Sequence, residues 1–361
     1  MEKVRVGITV GDINGIGLEV IIKCLANPKI EDLCIPVIYG SSKVLSYHKN
    51  IVRPQEFNYQ NLSNATNLNQ DKINLINCWN EDVMINLGSP SEESGKFAYI
   101  SLDQATQDLK QGLIDVLVTA PFDKHAMSLA GFPATGHTEY LADQFDVPES
   151  LMLMVSDDLR IGVVTNHIPV SEVSSKITKD LIIQKAMLLH QSLKMDFGIE
   201  KPMIAILGLN PHAGDQGLIG KEEEEVIIPA IAALKNKGML VGGPYAADGF
   251  FGSSNFKQVD GILAMYHDQG LVPFKTLSFG RGVNFTAGLP IVRTSPDHGT
   301  GNAIAGQNIA DESSFRQALF LSIDIFRSRD QFKDSHKNQL KIGTLVEEEE
   351  GDNIPEEFSD K

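Results

Sequence analysis

Three histidines in the sequence are placed where they could bind a metal ion. His167, His212 and His267 each follow a short apolar run and stand at the start of a turn. Ligands in open α/β sheets bind beyond the carboxyl ends of the strands, which is where these positions would lie. Three neutral imidazoles with open coordination positions suit Zn²⁺ or a similar divalent ion. The histidines lie 45 and 55 residues apart, without local zinc-motif spacing, so three ordinary loop histidines are the alternative.

Two further segments carry groups that could hold an anion. Thr138 precedes an apolar pattern and is predicted to be a helix N-cap, and a helix N-terminus can receive a phosphate or carboxylate. Lys275, Asn284 and Arg293 lie in a stretch rich in glycine and turn residues. Lysine and arginine there could clamp a phosphate, and asparagine could orient a hydroxyl or carboxylate. An ordinary capped helix and ordinary surface cations are the alternatives.

A glycine-rich loop over residues 11–17 follows the first apolar run. Its spacing is neither GxGxxG nor that of a P-loop, so we interpret it as a tight strand-to-helix turn and not as a Rossmann dinucleotide site.

The elements that must position these groups follow an α/β pattern. Short apolar runs bounded by Gly, Pro and Asn are predicted to be buried strands, and residues 180–193 and 222–235 have helical spacing of apolar residues. We therefore predict an α/β protein with a substantially parallel sheet. The Asn-rich stretch 58–71 is interpreted as a surface excursion. The predicted strands are residues 4–10, 35–39, 116–119, 161–165, 203–208 and 261–265.

The composition argues against several classes of protein. The formal net charge is −16, of which residues 347–361 contribute −7, so broad nucleic-acid binding is not expected. No apolar run reaches the roughly 18 residues that cross a bilayer. The apolar pattern begins at once, which leaves no room for a signal peptide, and the three cysteines form no pair or CxxC motif. We expect a cytoplasmic protein with an acidic, mobile tail over residues 346–361.

Several segments, in chain order, resemble the 4-hydroxythreonine-4-phosphate dehydrogenase family of pyridoxal phosphate biosynthesis. The resemblance covers roughly residues 4 to 330, and its motifs are long and unusual. The first loop departs from it, with Ile13-Asn14 where the family usually has Pro-Ala, and Asn166 stands where Thr is usual. The segments are residues 8–17, 118–121 with Lys124, 136–139, 209–214, 243–244 with Ala247 and Asp248, 266–270, 279–288 and 293–300.

The resemblance implies a fold, an assembly and roles for residues. The fold would be the isocitrate/isopropylmalate-dehydrogenase-like two-domain α/β/α fold with a cleft, within residues 1–345. We expect discontinuous subdomains of about residues 1–125 plus 255–345, and about 126–254. The assembly would be a homodimer with a shared active site, the metal being held by His167, His212 and, from the other subunit, His267.

The remaining site residues come from the same resemblance. His137, Thr138, Lys275, Asn284 and Arg293 would bind substrate. Asp248 and Lys275 are the candidates for acid/base catalysis. The segment 298–306 is similar to the adenine loop of β-decarboxylating dehydrogenases, which implies NAD or NADP. Its predicted cofactor-binding residues are His298, Gly299, Asn302 and Ala303.

The implied reaction is metal-dependent oxidation of 4-phosphooxy-L-threonine by NAD(P). The product, 2-amino-3-oxo-4-phosphooxybutanoate, would lose CO₂ to give 3-amino-2-oxopropyl phosphate. Zinc is the expected ion, with Mg²⁺, Mn²⁺ and Co²⁺ as alternatives. The alternatives for function are a related dehydrogenase of 4-phospho-threonate, 4-phospho-erythronate or a dihydrodiol carboxylate, a three-histidine zinc hydrolase or aldolase, and a non-catalytic metal- or phosphate-binding protein.

Overall fold

A computed structural model of the chain describes residues 2–337, so the acidic stretch 346–361 lies outside the described residues. The strands are β1 Val4–Thr9, β2 Cys34–Gly40, β3 Tyr59–Leu62, β4 Ile73–Asn77, β5 Val116–Thr119, β6 Leu151–Ser156, β7 Leu159–Val163, β8 Met203–Leu207, β9 Leu240–Tyr245, β10 Gly261–Ala264, β11 Val283–Ala287 and β12 Val292–Pro296. The helices are α1 Gly17–Leu25, α2 Lys29–Leu33, α3 Ser42–Val52, α4 Glu92–Lys110, α5 Lys124–Leu129, α6 His137–Gln144, α7 Val170–Lys176, α8 Lys179–Met195, α9 Ile228–Asn236, α10 Ala247–Gly252, α11 His267–Ser278 and α12 Ser313–His336.

All twelve strands belong to one sheet, in the order β3-β4-β2-β1-β5-β12-β11-β6-β7-β10-β8-β9. Most neighbours are parallel, and the antiparallel pairs are β12–β11, β11–β6 and β6–β7. Helices on both faces bury strands such as β2, all of whose residues are buried. The predicted α/β class, the six predicted strands and the helix α8 are therefore confirmed.

The sheet can be divided into two halves between β12 and β11. Each half contains strands that are distant in sequence. The division into two discontinuous subdomains stays a prediction. Strand β10 pairs with β7 and β8, which belong to the predicted second subdomain. The point at which the chain returns to the first subdomain would therefore lie beyond residue 264 and not near residue 255. Helix α12 packs against β5, β12 and β11 and so spans both halves. A buried ion pair between Arg329 Nε and Asp196 Oδ1, 2.6 Å apart, also joins it to the end of α8.

The Asn-rich stretch 58–71 lies at the surface as predicted, since Ala65 is its only buried residue, but it also contributes a strand to the sheet. It contains β3, an edge strand that pairs with β4 in parallel. An edge strand is paired on one side only, so a short polar strand is tolerated there. Such a strand contains no apolar run from which it could be predicted. Asn74 on β4 holds the turn between β3 and β4, because its Oδ1 accepts the Asn69 N–H at 2.8 Å.

A buried histidine supports the glycine loop that follows β1. The His48 side chain on α3 is 3% exposed, and its Nε2 lies 2.9 Å from the Ile13 carbonyl oxygen. Burial lowers the pKa of His48 from 6.5 to about 4. The ring is therefore neutral at pH 7, and its Nε2–H donates to that carbonyl.

Acidification is expected to destabilise the protein through His48. The unfolded chain takes up this proton near pH 6.5 and the folded chain only near pH 4, so the stabilisation is present above pH 6.5 and is lost as the pH falls. The free energy of unfolding should fall by roughly 2 kcal/mol between about pH 7 and about pH 5 through this group. Urea titrations at both pH values should show this component missing in His48→Gln, which retains a donor. An unchanged pH dependence in that variant would contradict the assignment.

No helix of the described residues 2–337 is long and apolar enough to cross a membrane.

Candidate active site

The three histidines lie beyond the carboxyl ends of three neighbouring parallel strands. His167 follows β7, His267 follows β10 and opens α11, and His212 follows β8. Strand β10 lies between β7 and β8 and is parallel to both, so all three strands end at the same edge of the sheet. The sequence placed each histidine after a strand, and the strand order adds that the three strands are adjacent.

Two of these histidines are side by side in one chain. The rings of His167 and His267 have centroids 5.7 Å apart. Burial, Lys124 and His267 lower the pKa of His167, so its ring is the free base at neutral pH. A neutral imidazole is the form that binds a metal ion.

His212 lines a cavity of about 850 Å³ together with Asp248 and residues of α11. His212 lies in a short 3₁₀ turn, Pro211–Gly214, and has a left-handed backbone with φ of 54°. Within residues 2–337, no three His, Cys, Asp or Glu side chains are grouped so that they could hold a metal ion. The resemblance implies that the partner supplies His267, whereas in this structure His267 lies next to His167 of the same chain.

Arg293, on β12, is a buried cation bonded only to hydroxyl groups in the described part of the chain. Its side chain donates from Nε and Nη2 to Thr119 Oγ1, at 3.0 and 2.7 Å, and from Nη1 to Thr286 Oγ1 at 3.3 Å. Burial lowers the pKa of Arg293 to about 10, and Glu139 opposes this shift, so the group stays charged at neutral pH. A buried charge without a bonded counterion is unfavourable, so this position suits an incoming anion.

Helix α6 begins beside this arginine. Its N-cap is Gly136, with no side-chain capping bond, so the prediction that Thr138 is the N-cap was wrong. Thr138 lies in the first turn instead, and its Oγ1 is 3.4 Å from Thr286 Oγ1. The His137 ring stacks on Phe122 at a centroid distance of 3.9 Å. Burial, Arg293 and Lys124 hold the pKa of His137 well below its usual value, so it is neutral too.

Lys124 and Glu139 connect the histidine pair with the arginine, and neither was assigned a role from sequence. Lys124 lowers the pKa of both His137 and His167. Glu139 acts in the opposite direction, raising the pKa of both His167 and Arg293. Because the same two charges act on His167, His137 and Arg293, the predicted metal-binding and substrate-binding residues lie in one region. Both residues do lie in segments that carry the family resemblance, which are residues 118–121 with Lys124 and residues 136–139.

Lys275 is paired with an aspartate whose pKa is also affected by His267. Its Nζ is 3.1 Å from Asp297 Oδ1, and the lysine side chain is half exposed. Burial raises the pKa of Asp297, while Lys275, His298 and His267 lower it. Asp297 was not assigned a role from sequence, although it joins Lys275 to the segment that follows β12.

The remaining substrate and acid/base candidates differ in their surroundings. Asn284, on β11, has a buried Oδ1 with no hydrogen-bond partner, which suits it to bind a ligand. Asp248, in the first turn of α10, is exposed and lines the cavity with His212. In the described residues, no hydrogen bond or ion pair joins Asp248 to Lys275, whose ammonium group is paired with Asp297.

The predicted cofactor segment packs directly on the glycine loop. The Ile16 N–H donates to the Thr300 carbonyl at 2.9 Å. Gly301 has a left-handed φ of 59° and opens a 3₁₀ turn, Asn302–Ile304. His298 Nε2 and Asn302 Oδ1 are buried without hydrogen-bond partners. The glycine loop is thus a support for the predicted cofactor segment, consistent with its interpretation as a tight turn.

Gly15 gives a test of that support. A Cβ at Gly15 would stand 2.7 Å from the Thr300 carbonyl oxygen, which is backbone, so the loop must shift. Gly15→Ala is expected to raise the KM for NAD(P) about 10-fold with little change in metal content, because loop displacement costs roughly 1–3 kcal/mol. Steady-state kinetics measures the change. Gly249→Ala is the control, because its added methyl would meet nothing within 4 Å. An unchanged nucleotide KM in Gly15→Ala would contradict the role of this loop.

Comparisons with known proteins agree with this arrangement. The family model described as pyridoxal phosphate biosynthetic protein PdxA matches residues 32–322. The chain is 48% identical to a 4-hydroxythreonine-4-phosphate dehydrogenase of Bacteroides thetaiotaomicron, over 98% of this chain and 97% of that one. Two solved 4-hydroxythreonine-4-phosphate dehydrogenases are also similar. That of Klebsiella pneumoniae has a TM-score of 0.78 at 32% identity, covering 90% of this chain and 98% of that chain. That of Burkholderia phymatum has a TM-score of 0.74 at 37% identity, covering 90% and 99%.

The similarity extends through both halves of the sheet and includes every predicted site residue from His137 to Arg293 within the matched range. The resemblance noted from the motifs is therefore confirmed, and the chain belongs to the PdxA family of pyridoxal phosphate biosynthetic proteins.

Proposed function

We propose that this chain is a 4-hydroxythreonine-4-phosphate dehydrogenase. It would oxidise the C3 hydroxyl of 4-phosphooxy-L-threonine with NAD or NADP and a divalent metal ion. The product, 2-amino-3-oxo-4-phosphooxybutanoate, would then lose CO₂ to give 3-amino-2-oxopropyl phosphate. The observation that carries the proposal is the buried Arg293, which has no carboxylate from residues 2–337 bonded to it and shares charged neighbours with the histidine pair. Family membership supplies the substrate class.

The histidines fit a divalent ion. His167 and His267 are close enough for one ion to contact both rings, and His167 is neutral at neutral pH. Since these two lie together in one chain, we assign the third ligand, His212, to the partner subunit. This reverses the expected assignment of His267. A bound Zn²⁺ or related ion would lower the pKa of the substrate hydroxyl, which is the chemistry that oxidation of an alcohol needs.

The protein side chains would then orient the substrate. Arg293, with its guanidinium fixed by two threonine hydroxyls, would bind the phosphate or the carboxylate. Thr138 and His137 would contact the same anion from the first turn of α6, where free N–H groups favour negative charge. Asn284 Oδ1, unpartnered and buried, would accept a hydrogen bond from a hydroxyl or amine. Lys275 and Asp248 remain our candidates for moving the proton of the hydroxyl.

The segment 298–306 would hold NAD or NADP, which when bound would supply the hydride acceptor for the oxidation. The unpartnered His298 Nε2 and Asn302 Oδ1 are polar atoms available to a ligand there. Gly299 and Ala303 would allow its close approach, since an added Cβ at Gly299 would meet nothing within 4 Å. The cytoplasmic location stays a prediction.

A homodimer would cover the apolar surface around the His212 cavity. Val272 on α11 is 61% exposed, Leu218 is 80% exposed and Phe279 is 82% exposed. Val272 also lines the cavity, so the surface and the cavity are continuous. Exposed apolar side chains in such numbers mark an interface, and a second copy there could bring its His212 to the histidine pair.

Turnover by metal-free and metal-repleted protein tests the function. Chelator-treated enzyme would receive Zn²⁺, Mg²⁺, Mn²⁺ or Co²⁺ and either nucleotide, with 4-phosphooxy-L-threonine, 4-phospho-threonate or 4-phospho-erythronate as substrate. We expect metal-dependent reduction of the nucleotide with the highest kcat/KM on 4-phosphooxy-L-threonine. A higher kcat/KM on a phospho-sugar acid would favour the related dehydrogenases. Absence of nucleotide reduction with every combination would favour a zinc hydrolase or aldolase.

A further inference from the structure

We propose that Glu223 is the positioning residue for His212, holding the loop 208–217 in the strained conformation that sets where this histidine stands. The link to metal binding rests on the proposed function, in which His212 is a metal ligand. The claim about the loop itself rests on contacts within one chain.

The loop that carries His212 has an unusual backbone. His212, Ala213, Asp215 and Gln216 have φ of 54°, 51°, 44° and 55°. They are four of the nine non-glycine residues with positive φ in the described part of the chain, and the other five are scattered. Left-handed residues of this kind are unfavourable and persist only where their surroundings determine the conformation. Something must therefore hold this loop.

The Glu223 carboxylate occupies the inside of the loop. Its Oε1 accepts the N–H groups of Leu209 and Asn210, at 2.7 and 2.8 Å, and its Oε2 accepts Asn210 Nδ2 at 2.9 Å. The same carboxylate is against Gly208 and Gly214, where an added Cβ would stand 3.1 and 2.6 Å from its oxygens. It thus contacts the loop on both sides of His212.

Because Glu223 is buried, its hydrogen bonds to the loop are not replaced by bonds to water. Glu223 is 1% exposed and forms no ion pair with a lysine or arginine of residues 2–337, so the loop supplies its hydrogen bonds. Hydrogen bonds from N–H groups to a buried carboxylate are among the stronger ones in proteins. Glu223 also begins the π-helical turn Glu223–Ile227 that leads into α9, an irregularity that often accompanies a functional site. No other role in the proposed reaction uses this carboxylate.

Glu223→Gln is the variant that tests the proposal, because it keeps the shape and removes the charge and one acceptor. Zn²⁺ affinity measured by chelator competition should fall about 10-fold to 100-fold, the usual effect of removing a group that orients a metal ligand. Saturating Zn²⁺ should restore most of kcat, and the KM for NAD(P) should not change. Hydrogen exchange of the amides of Leu209 and Asn210 should accelerate. Glu225→Gln is the matched control, since Glu225 is exposed and lies in the same turn.

Wild-type Zn²⁺ affinity and wild-type exchange in Glu223→Gln would overturn the proposal. If that variant does not fold, Asn210→Ala decides, because at a half-buried residue it removes the Nδ2 bonds to Glu223 Oε2 and Glu222 Oε2 and leaves both backbone N–H bonds to Glu223 in place. It should weaken Zn²⁺ binding and speed exchange in the same direction by a smaller factor, and a wild-type result would again overturn the proposal. If the wild-type protein binds none of Zn²⁺, Mg²⁺, Mn²⁺ and Co²⁺, the proposed function fails, while the exchange measurement still tests the role of Glu223.

Discussion

Replacement of Arg293 by methionine is expected to remove nearly all activity without loss of stability. A desolvated contact between a guanidinium and a phosphate or carboxylate contributes about 2–5 kcal/mol, so kcat/KM should fall roughly 30-fold to 5,000-fold. The fold should not suffer, because Arg293 is buried and no carboxylate of the described part of the chain is bonded to it. An unpaired buried charge is costly in the folded state, so its replacement by an apolar side chain should leave the free energy of unfolding near or above that of the wild type. Kinetics and thermal unfolding measure the two effects separately.

The controls separate charge from geometry. Arg281→Met changes an arginine that is more than half exposed and should leave both activity and stability near those of the wild type. Arg293→Lys keeps the charge without the planar fork that bonds Thr119 and Thr286, so its kcat/KM should lie between the wild type and Arg293→Met. An Arg293→Met protein with wild-type kcat/KM, or one that unfolds far below the wild-type temperature, would contradict the role of a buried anion-binding cation.

Replacement of His212 by alanine is expected to remove bound metal and most of kcat from a protein that still folds. The residue lies in a surface turn and not in the sheet, so the core does not depend on it. Loss of one of three ligands, and with it of the ion that polarises the substrate, should lower kcat by about 10³-fold or more. Metal content by mass spectrometry and kcat measure the two effects. His125→Ala, at an exposed histidine of α5, is the control, and full metal content with full activity in His212→Ala would sink the three-histidine site.

Much of the fold could be predicted from local patterns. The apolar runs that became β1, β5 and β8 are buried on both faces, and such strands are marked by their composition alone. The histidines could be found because each one follows such a strand. The polar edge strand β3 was missed because an edge strand does not need an apolar sequence.

The buried state of Arg293 could not be predicted. Its partner Thr119 is 174 residues away in sequence, and nothing local distinguishes this arginine from a surface cation. The same holds for the contact of Gly15 with Thr300, which depends on how two loops from opposite ends of the chain meet. Gly136 replaced Thr138 as the N-cap of α6 because the helix begins one residue before the threonine, and helix boundaries are uncertain by one or two residues from sequence alone.

The assignment of ligands to subunits also depends on long-range geometry. The sequence indicates that three histidines follow strands. Which two of them one chain contributes to a metal site depends on the strand order β7-β10-β8 and on the distance between the His167 and His267 rings. Family resemblance had suggested that His267 comes from the partner, and the 5.7 Å separation of the His167 and His267 rings favours His212 instead.

Activity recovered on mixing inactive variants tests this shared site most directly. If one subunit supplies His167 and His267 and the other His212, subunits of His167→Ala and His212→Ala exchanged under mild denaturant should regain about a quarter of wild-type activity, since half of the dimers then hold one intact site. His167→Ala mixed with His267→Ala should regain none. Recovery in the second mixture and none in the first would assign His267 to the partner, and no recovery in either would contradict a site shared between subunits.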